Sequence, residues 1–158
     1  CYGEADPKEE PGAIPIPITD TWRPADVYGL EGERFAVFSR FHGYLGIFEH
    51  EQATEVELEY MEFDIVTLTP VVRGVAPIGL IEKYNSSAAL TACEWPAENL
   101  LKLNVRDGGR FGIVFEQDHR PSWLWLNNVP LPAAIPEDRV FHEIELPEGE
   151  PHEILFVF

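Results

Sequence analysis

Val66-Thr67-Leu68-Thr69-Pro70, Val72-Arg73-Gly74 and Val75-Ala76-Pro77-Ile78-Gly79-Leu80 follow one another without a gap of more than one residue. This stretch decides the fold. Two β-branched, apolar runs flank a short turn, too close together for any helix to intervene. Upstream, Val56, Leu58 and Tyr60 alternate with Glu55, Glu57 and Glu59, the two-residue period of a half-buried strand. Downstream, Asn85-Ser86 is a turn pair, and strands of similar length recur to the end of the chain.

Outward from that stretch, strands are expected at 34–40, 43–49, 54–60, 62–69, 75–82, 87–94, 99–105, 110–116, 122–127, 139–146 and 152–158. Ile144 and Leu146 alternate with Glu143 and Glu145. Asp107-Gly108-Gly109, Asn127-Asn128 and Pro147-Glu148-Gly149 read as turns, the first as a hairpin joining two strands. No segment carries a helical period. The expected fold class is all-β, an antiparallel β-sandwich of roughly eight to eleven strands, since short strands at 8–12-residue spacing make sandwiches.

Residues 1–24 read as an extended Pro/Glu-rich arm or linker, and 25–158 as the β-sandwich domain. Pro11, Pro15, Pro17 and Pro24 oppose a helix, and Ile14-Pro15-Ile16-Pro17-Ile18 favours extended backbone seeking an apolar surface.

Two glycines read as backbone-demanding. Gly79 inside an apolar strand marks a bulge or a close approach. Gly109 at the end of a tight turn is expected at positive φ.

At 158 residues, with 45% hydrophobic residues, the chain is long enough to bury a core. Its 28 acidic and 11 basic residues give a net charge of −17. Such a surface repels phosphate backbones, so nucleic acid is not an expected partner. No apolar run approaches the roughly 18 residues of a membrane-spanning helix. Cys1 and Cys93 alone indicate no disulfide framework, and Cys93 reads as a buried free thiol.

The residues offer no catalytic group and no metal or cofactor site. Most carboxylates alternate with apolar residues and belong to solvated strand faces, whereas glycoside cleavage needs two facing carboxyls on a rigid frame. His42, His50, His119, His142 and His152 lack metal-ligand spacing and read as surface or edge residues. Trp123 and Trp125 share one side of a strand, with Leu124 and Leu126 on the other. They are the candidate sugar or interdomain contact. Both faces being apolar favours core or interdomain packing over sugar stacking.

The chain resembles the C-terminal β-sandwich of the raffinose synthase and seed imbibition protein family, which is related to α-galactosidases. Five pieces carry the resemblance: Glu59-Tyr60, Pro70-Val71, Val75-Ala76-Pro77-Ile78-Gly79-Leu80, Asn85-Ser86, and Val105-Arg106-Asp107-Gly108-Gly109-Arg110-Phe111-Gly112. Arg120-Pro121 also fits, but Glu116-Gln117-Asp118-His119 stands where the family has a Ser-rich turn. The resemblance implies a preceding catalytic barrel as partner and α-galactosides as the parent's substrates, through a retaining mechanism. The barrel's catalytic aspartates have no counterpart here. The resemblance favours a fragment of a longer chain, with cytoplasmic localisation. The alternative is a free-standing, sugar-binding surface lipoprotein anchored at Cys1.

Overall fold

The computed structural model describes residues 16–131 and 139–158. Thirteen strands are found there: β1 (Ile18–Trp22), β2 (Arg34–Ser39), β3 (Gly43–Glu49), β4 (Thr54–Leu58), β5 (Val66–Pro70), β6 (Val75–Leu80), β7 (Leu90–Ala97), β8 (Leu100–Val105), β9 (Gly109–Phe115), β10 (Trp123–Leu126), β11 (Val129–Leu131), β12 (Phe141–Leu146) and β13 (His152–Val157). The only helical elements among the described residues are single 3₁₀ turns at Pro24–Asp26 and Ser86–Ala89. All strand pairings are antiparallel.

The strands form three stacked sheets and a small ribbon. One sheet has the order β11-β10-β13-β8-β7, a second β12-β9-β6, a third β3-β2-β5, and β1 pairs with β4. The first two make a sandwich. Its core holds Leu101, Leu103, Val105, Ile154 and Phe156 from one sheet against Val75, Leu80, Phe111, Ile113, Phe115 and Leu146 from the other. The third sheet covers the opposite face of the second. There Ala36 and Phe38 of β2 meet Ala76, Ile78 and Val114, with Phe141 stacked between Phe38 and Tyr44 at 5.7 and 5.3 Å. The β12-β9-β6 sheet is therefore a middle layer. That is why β6 and β9 read as nearly unbroken apolar runs rather than alternating ones.

A bulge in β6 serves both cores. The register against β9 shifts between Pro77 and Gly79, so one extra residue is carried on β6. Without the shift Leu80 would lie on the same side as Ala76 and Ile78. With it, Leu80 turns back into the sandwich core while Ile78 stays on the other side. Gly79 has φ 101°, and a Cβ there would lie 2.0 Å from the Ser86 carbonyl oxygen. Pro77 is tolerated because β6 is an edge strand, paired only with β9 in its sheet, and because the residue sits beside the bulge.

Several expectations need correction. Asp107-Gly108-Gly109 is not a hairpin: β8 and β9 belong to different sheets, so the turn carries the chain from one layer to the next. Gly109 does have positive φ, 123°. Residues 87–89 are in a 3₁₀ turn, and the strand begins at Leu90. The strand expected over 54–60 ends at Leu58, which leaves Tyr60 70% exposed instead of facing inward. The run at 122–127 is followed by a further strand, β11, across an Asn127-Asn128 turn with both residues at positive φ. Residues 18–22 of the proline-rich leader pair with β4, and Ile16 and Ile18 remain exposed. The rest of that arm, through residue 15, lies outside the described residues, as does Cys1.

His142 and His152 are buried, not at the surface. His152 is 2% exposed; its Nε2–H donates to the Pro147 carbonyl at 2.7 Å, and its Nδ1 accepts from the Asn127 amide at 3.1 Å. Those partners fix the orientation of the ring. Cys93 is exposed on the edge strand β7, not buried in the core. Partial desolvation, with Glu94 adding to it, pushes its thiol pKa up, so it is a poor nucleophile.

Candidate functional site

The residues that carry the resemblance build the middle layer. Ala76, Pro77, Ile78, Gly79 and Leu80 are β6, and Phe111 and Gly112 are in β9 beside it. Gly112 faces Ile81 and Phe141, where a Cβ would come within 2.5 Å of the Ile81 methyl. Asn85 precedes the 3₁₀ turn, and buried Ser86 bonds Thr67 Oγ1 at 2.8 Å while its carbonyl abuts Gly79. Gly109 abuts the Glu82 carboxylate. Arg110 projects outward, between Glu82 and Glu143 at 3.5 Å each, and Asn85 is exposed as well. Such exposed pairs contribute little stability.

Trp123 and Trp125 are not in the core. They are 58% and 36% exposed, while Leu124 between them is 6% exposed and faces inward. Cross-strand register extends their surface: Trp123 pairs with Val157, which pairs with Leu100, and Trp125 pairs with Leu155 on one side and Pro130 on the other. These residues share the outer face of the five-stranded sheet, so the two rings head a contiguous apolar patch. Lys102 and Glu153 form an ion pair at its margin.

A second feature was not legible as a site. At one end of the sandwich an open cleft of about 800 Å³ lies among the β5–β6 turn, the β7–β8 hairpin and the β9–β10 loop. The β5–β6 connection is a two-residue turn closed by an isolated bridge, although the two strands belong to different sheets: Val72 and Val75 exchange both backbone hydrogen bonds, and Arg73 and Gly74 lie at φ 51° and 73°. Arg73 places its guanidinium 5.0 Å from the centroid of the Trp95 ring. Asp118, His119 and Arg120 form the facing wall, and Glu98 lies at the rim.

Among the described residues, no group of three or more His, Cys, Asp or Glu side chains could hold a metal ion. No described helix is long and apolar enough to cross a membrane.

An all-antiparallel layered β module with no assembled catalytic constellation among its described residues is the class that fold and surface define. The family model for "Raffinose synthase or seed imbibition protein Sip1" matches residues 24–127. The chain belongs to the raffinose synthase/seed imbibition protein family. It is similar to the probable galactinol-sucrose galactosyltransferase 6 of Arabidopsis thaliana, with 35% identity over 83 residues. That alignment spans 49% of this chain and 11% of the relative's length. Membership ties the chain to a family of carbohydrate-active enzymes.

Proposed function

We propose that this chain is the C-terminal accessory β-sandwich of a carbohydrate-active enzyme. The parent acts on α-galactosides through a catalytic barrel that precedes it in the same polypeptide. The chain contributes no catalytic residue; the parent hydrolyses α-galactosides or transfers galactosyl groups. In this reading residues 25–158 together with β1 are the folded accessory domain, the part of the arm ahead of β1 links it to the barrel, and Trp123 and Trp125 are the interdomain contact.

The observation that carries the reading is the outer face of the five-stranded sheet. Two indole side chains, 58% and 36% exposed and flanked by exposed Pro130 and half-buried Val157, Leu100 and Leu155, are left open to solvent among the described residues of a chain otherwise rich in carboxylates. An exposed apolar patch of a few hundred Å² marks a contact surface. The family match, with the resemblance to the domain behind the barrel, supports a catalytic neighbour as what covers it.

Two measurements test this. The 158-residue chain should show no turnover of a chromogenic α-galactoside above blank. Activity that survives repurification would overturn the accessory role. The chain should also bind a hydrophobic dye or self-associate, and Trp125→Ser should reduce this without unfolding it. Unchanged dye binding in that variant would remove the patch from the proposal.

A further inference from the structure

The geometry points to a docking site for an extended segment of a partner protein, one in which apolar residues alternate with lysine or arginine. The segment adds as a third strand along the free edge of β4. The inference uses neither the Trp123/Trp125 face nor the proposed barrel.

The site arises from two layers of unequal width. Alternation along β2 sends Ala36 and Phe38 to the middle layer, and Phe35 and Val37 to the opposite face of the third sheet. Register puts Phe48, Leu68 and Val66 on that face too, paired with Phe35, Val37 and Ser39. The face is three strands wide. The β1–β4 ribbon that covers it among the described residues has two. Trp22, at the end of β1, stacks on Phe48 at 5.8 Å. Beside β4 an open groove of about 700 Å³ remains, with Leu45, Phe48, Val66 and Leu68 in its floor.

Every residue of β4, from Thr54 to Leu58, lines this groove. Side chains from both faces of a strand line one cavity when the cavity runs along the strand's edge. That edge is open. Among the described residues β4 pairs with β1 alone, and the backbone of 54–58 makes no hydrogen bond outside that pairing. A row of unpaired N–H and C=O groups above an apolar floor is the template for strand addition.

Charge selects what can use it. Val56 and Leu58 are half-buried, and Glu55 and Glu57 alternate with them on the exposed face. No Lys or Arg lines the groove. Asp64 also lines it, but its carboxylate already accepts from the Ser39 hydroxyl at 2.6 Å and the Ile65 N–H at 2.7 Å. Glu55 and Glu57 form no ion pair among the described residues. Opposite charges facing each other across adjacent strands stabilise a pairing, and like charges oppose it. The incoming strand therefore needs apolar side chains toward Val66 and Leu68 and cationic ones beside Glu55 and Glu57.

This chain does not supply such a strand. Residues 1–15 carry Glu4, Asp6, Glu9 and Glu10 against Lys8, and Pro7, Pro11 and Pro15 have no N–H to give. A second copy would bring its own Glu55 and Glu57 to a β4–β4 pairing. Leu101-Lys102-Leu103-Asn104-Val105-Arg106 has the right alternation, but β8 is already paired on both edges. The occupant is a different, basic polypeptide.

The experiment follows ¹⁵N–¹H spectra of the 158-residue chain while the capped peptide Lys-Val-Lys-Val-Lys-Val-Lys is added at about 0.15 M salt. Saturable shifts should be confined to amides of 54–58 and 66–68 and the Trp22 indole, with a dissociation constant on the order of 1 mM or tighter. Lys-Pro-Lys-Pro-Lys-Pro-Lys has the same charge but cannot complete a ladder, and should bind at least about tenfold more weakly. The double variant Glu55→Lys, Glu57→Lys should keep its melting temperature, since both side chains are exposed. It should lose the Lys-Val peptide about tenfold or more and take up Glu-Val-Glu-Val-Glu-Val-Glu at the same amides. Absence of saturable shifts up to about 5 mM peptide overturns the proposal. Equal binding of the proline peptide overturns it as well, by reducing the effect to attraction toward an acidic surface. So does concentration-dependent protection of the β4 amides without peptide, which would make a second copy the occupant.

Discussion

Strands β9 and β10 look alike in sequence and are treated oppositely by the fold. Phe111-Gly112-Ile113-Val114-Phe115 is apolar on both faces, and every residue of it is buried, because a sheet lies on each side. Trp123-Leu124-Trp125-Leu126 is also apolar on both faces, yet among the described residues only the leucine side is covered. A strand with two apolar faces needs two covering layers. Among the described residues the middle layer finds both, and the five-stranded sheet finds one. The difference separates apolar residues that hold the domain together from apolar residues free for a neighbour.

The comparison breaks if the two strands respond alike to truncation. Phe111→Ala removes a ring from the fully enclosed core and should cost about 3–5 kcal/mol, read as a large fall in urea midpoint. Gly79→Val comes next. It sets a β-branched side chain at φ 101°, against the Ser86 carbonyl. A loss of more than about 2 kcal/mol is expected. A midpoint unchanged in Gly79→Val would mean that the bulge is not needed to send Leu80 and Ile78 to different cores. Trp125→Ser should cost less than Phe111→Ala, about 1–2 kcal/mol, despite deleting a larger ring, because Trp125 is 36% exposed whereas Phe111 is fully enclosed. Arg73→Asn should have the smallest effect and of opposite sign, a gain of a few tenths of a kcal/mol from relief of the turn.

What the sequence disclosed follows from the range of the interactions involved. Alternation at Val56–Leu58, the tight turns, the bulge at Gly79 and the positive φ of Gly109 are local, and they were legible. The family residues were legible as a string. Their shared task, a middle layer with a phase-shifting bulge, depends on which sheets cover β6 and β9, and that is not local. The Asp107-Gly108-Gly109 turn looked like a hairpin because turn chemistry specifies a reversal and not the sheet the next strand joins. Burial of His152 depends on Asn127 and Pro147, 25 and 5 residues away. The cleft was missed because Arg73, Trp95 and Asp118 are far apart in sequence. One signal was present, an arginine preceding glycine in a two-residue turn where asparagine belongs.

The central claim is that the Trp123/Trp125 face is covered by another domain of the same polypeptide. Hydroxyl-radical footprinting measures this most directly, by comparing oxidation of the 121–131 peptide in the 158-residue chain and in the full polypeptide encoded by its gene. The account predicts strong labelling of Trp123 and Trp125 in the short chain and several-fold protection in the long one. Equal labelling in both, or a gene that encodes no preceding barrel, would contradict it.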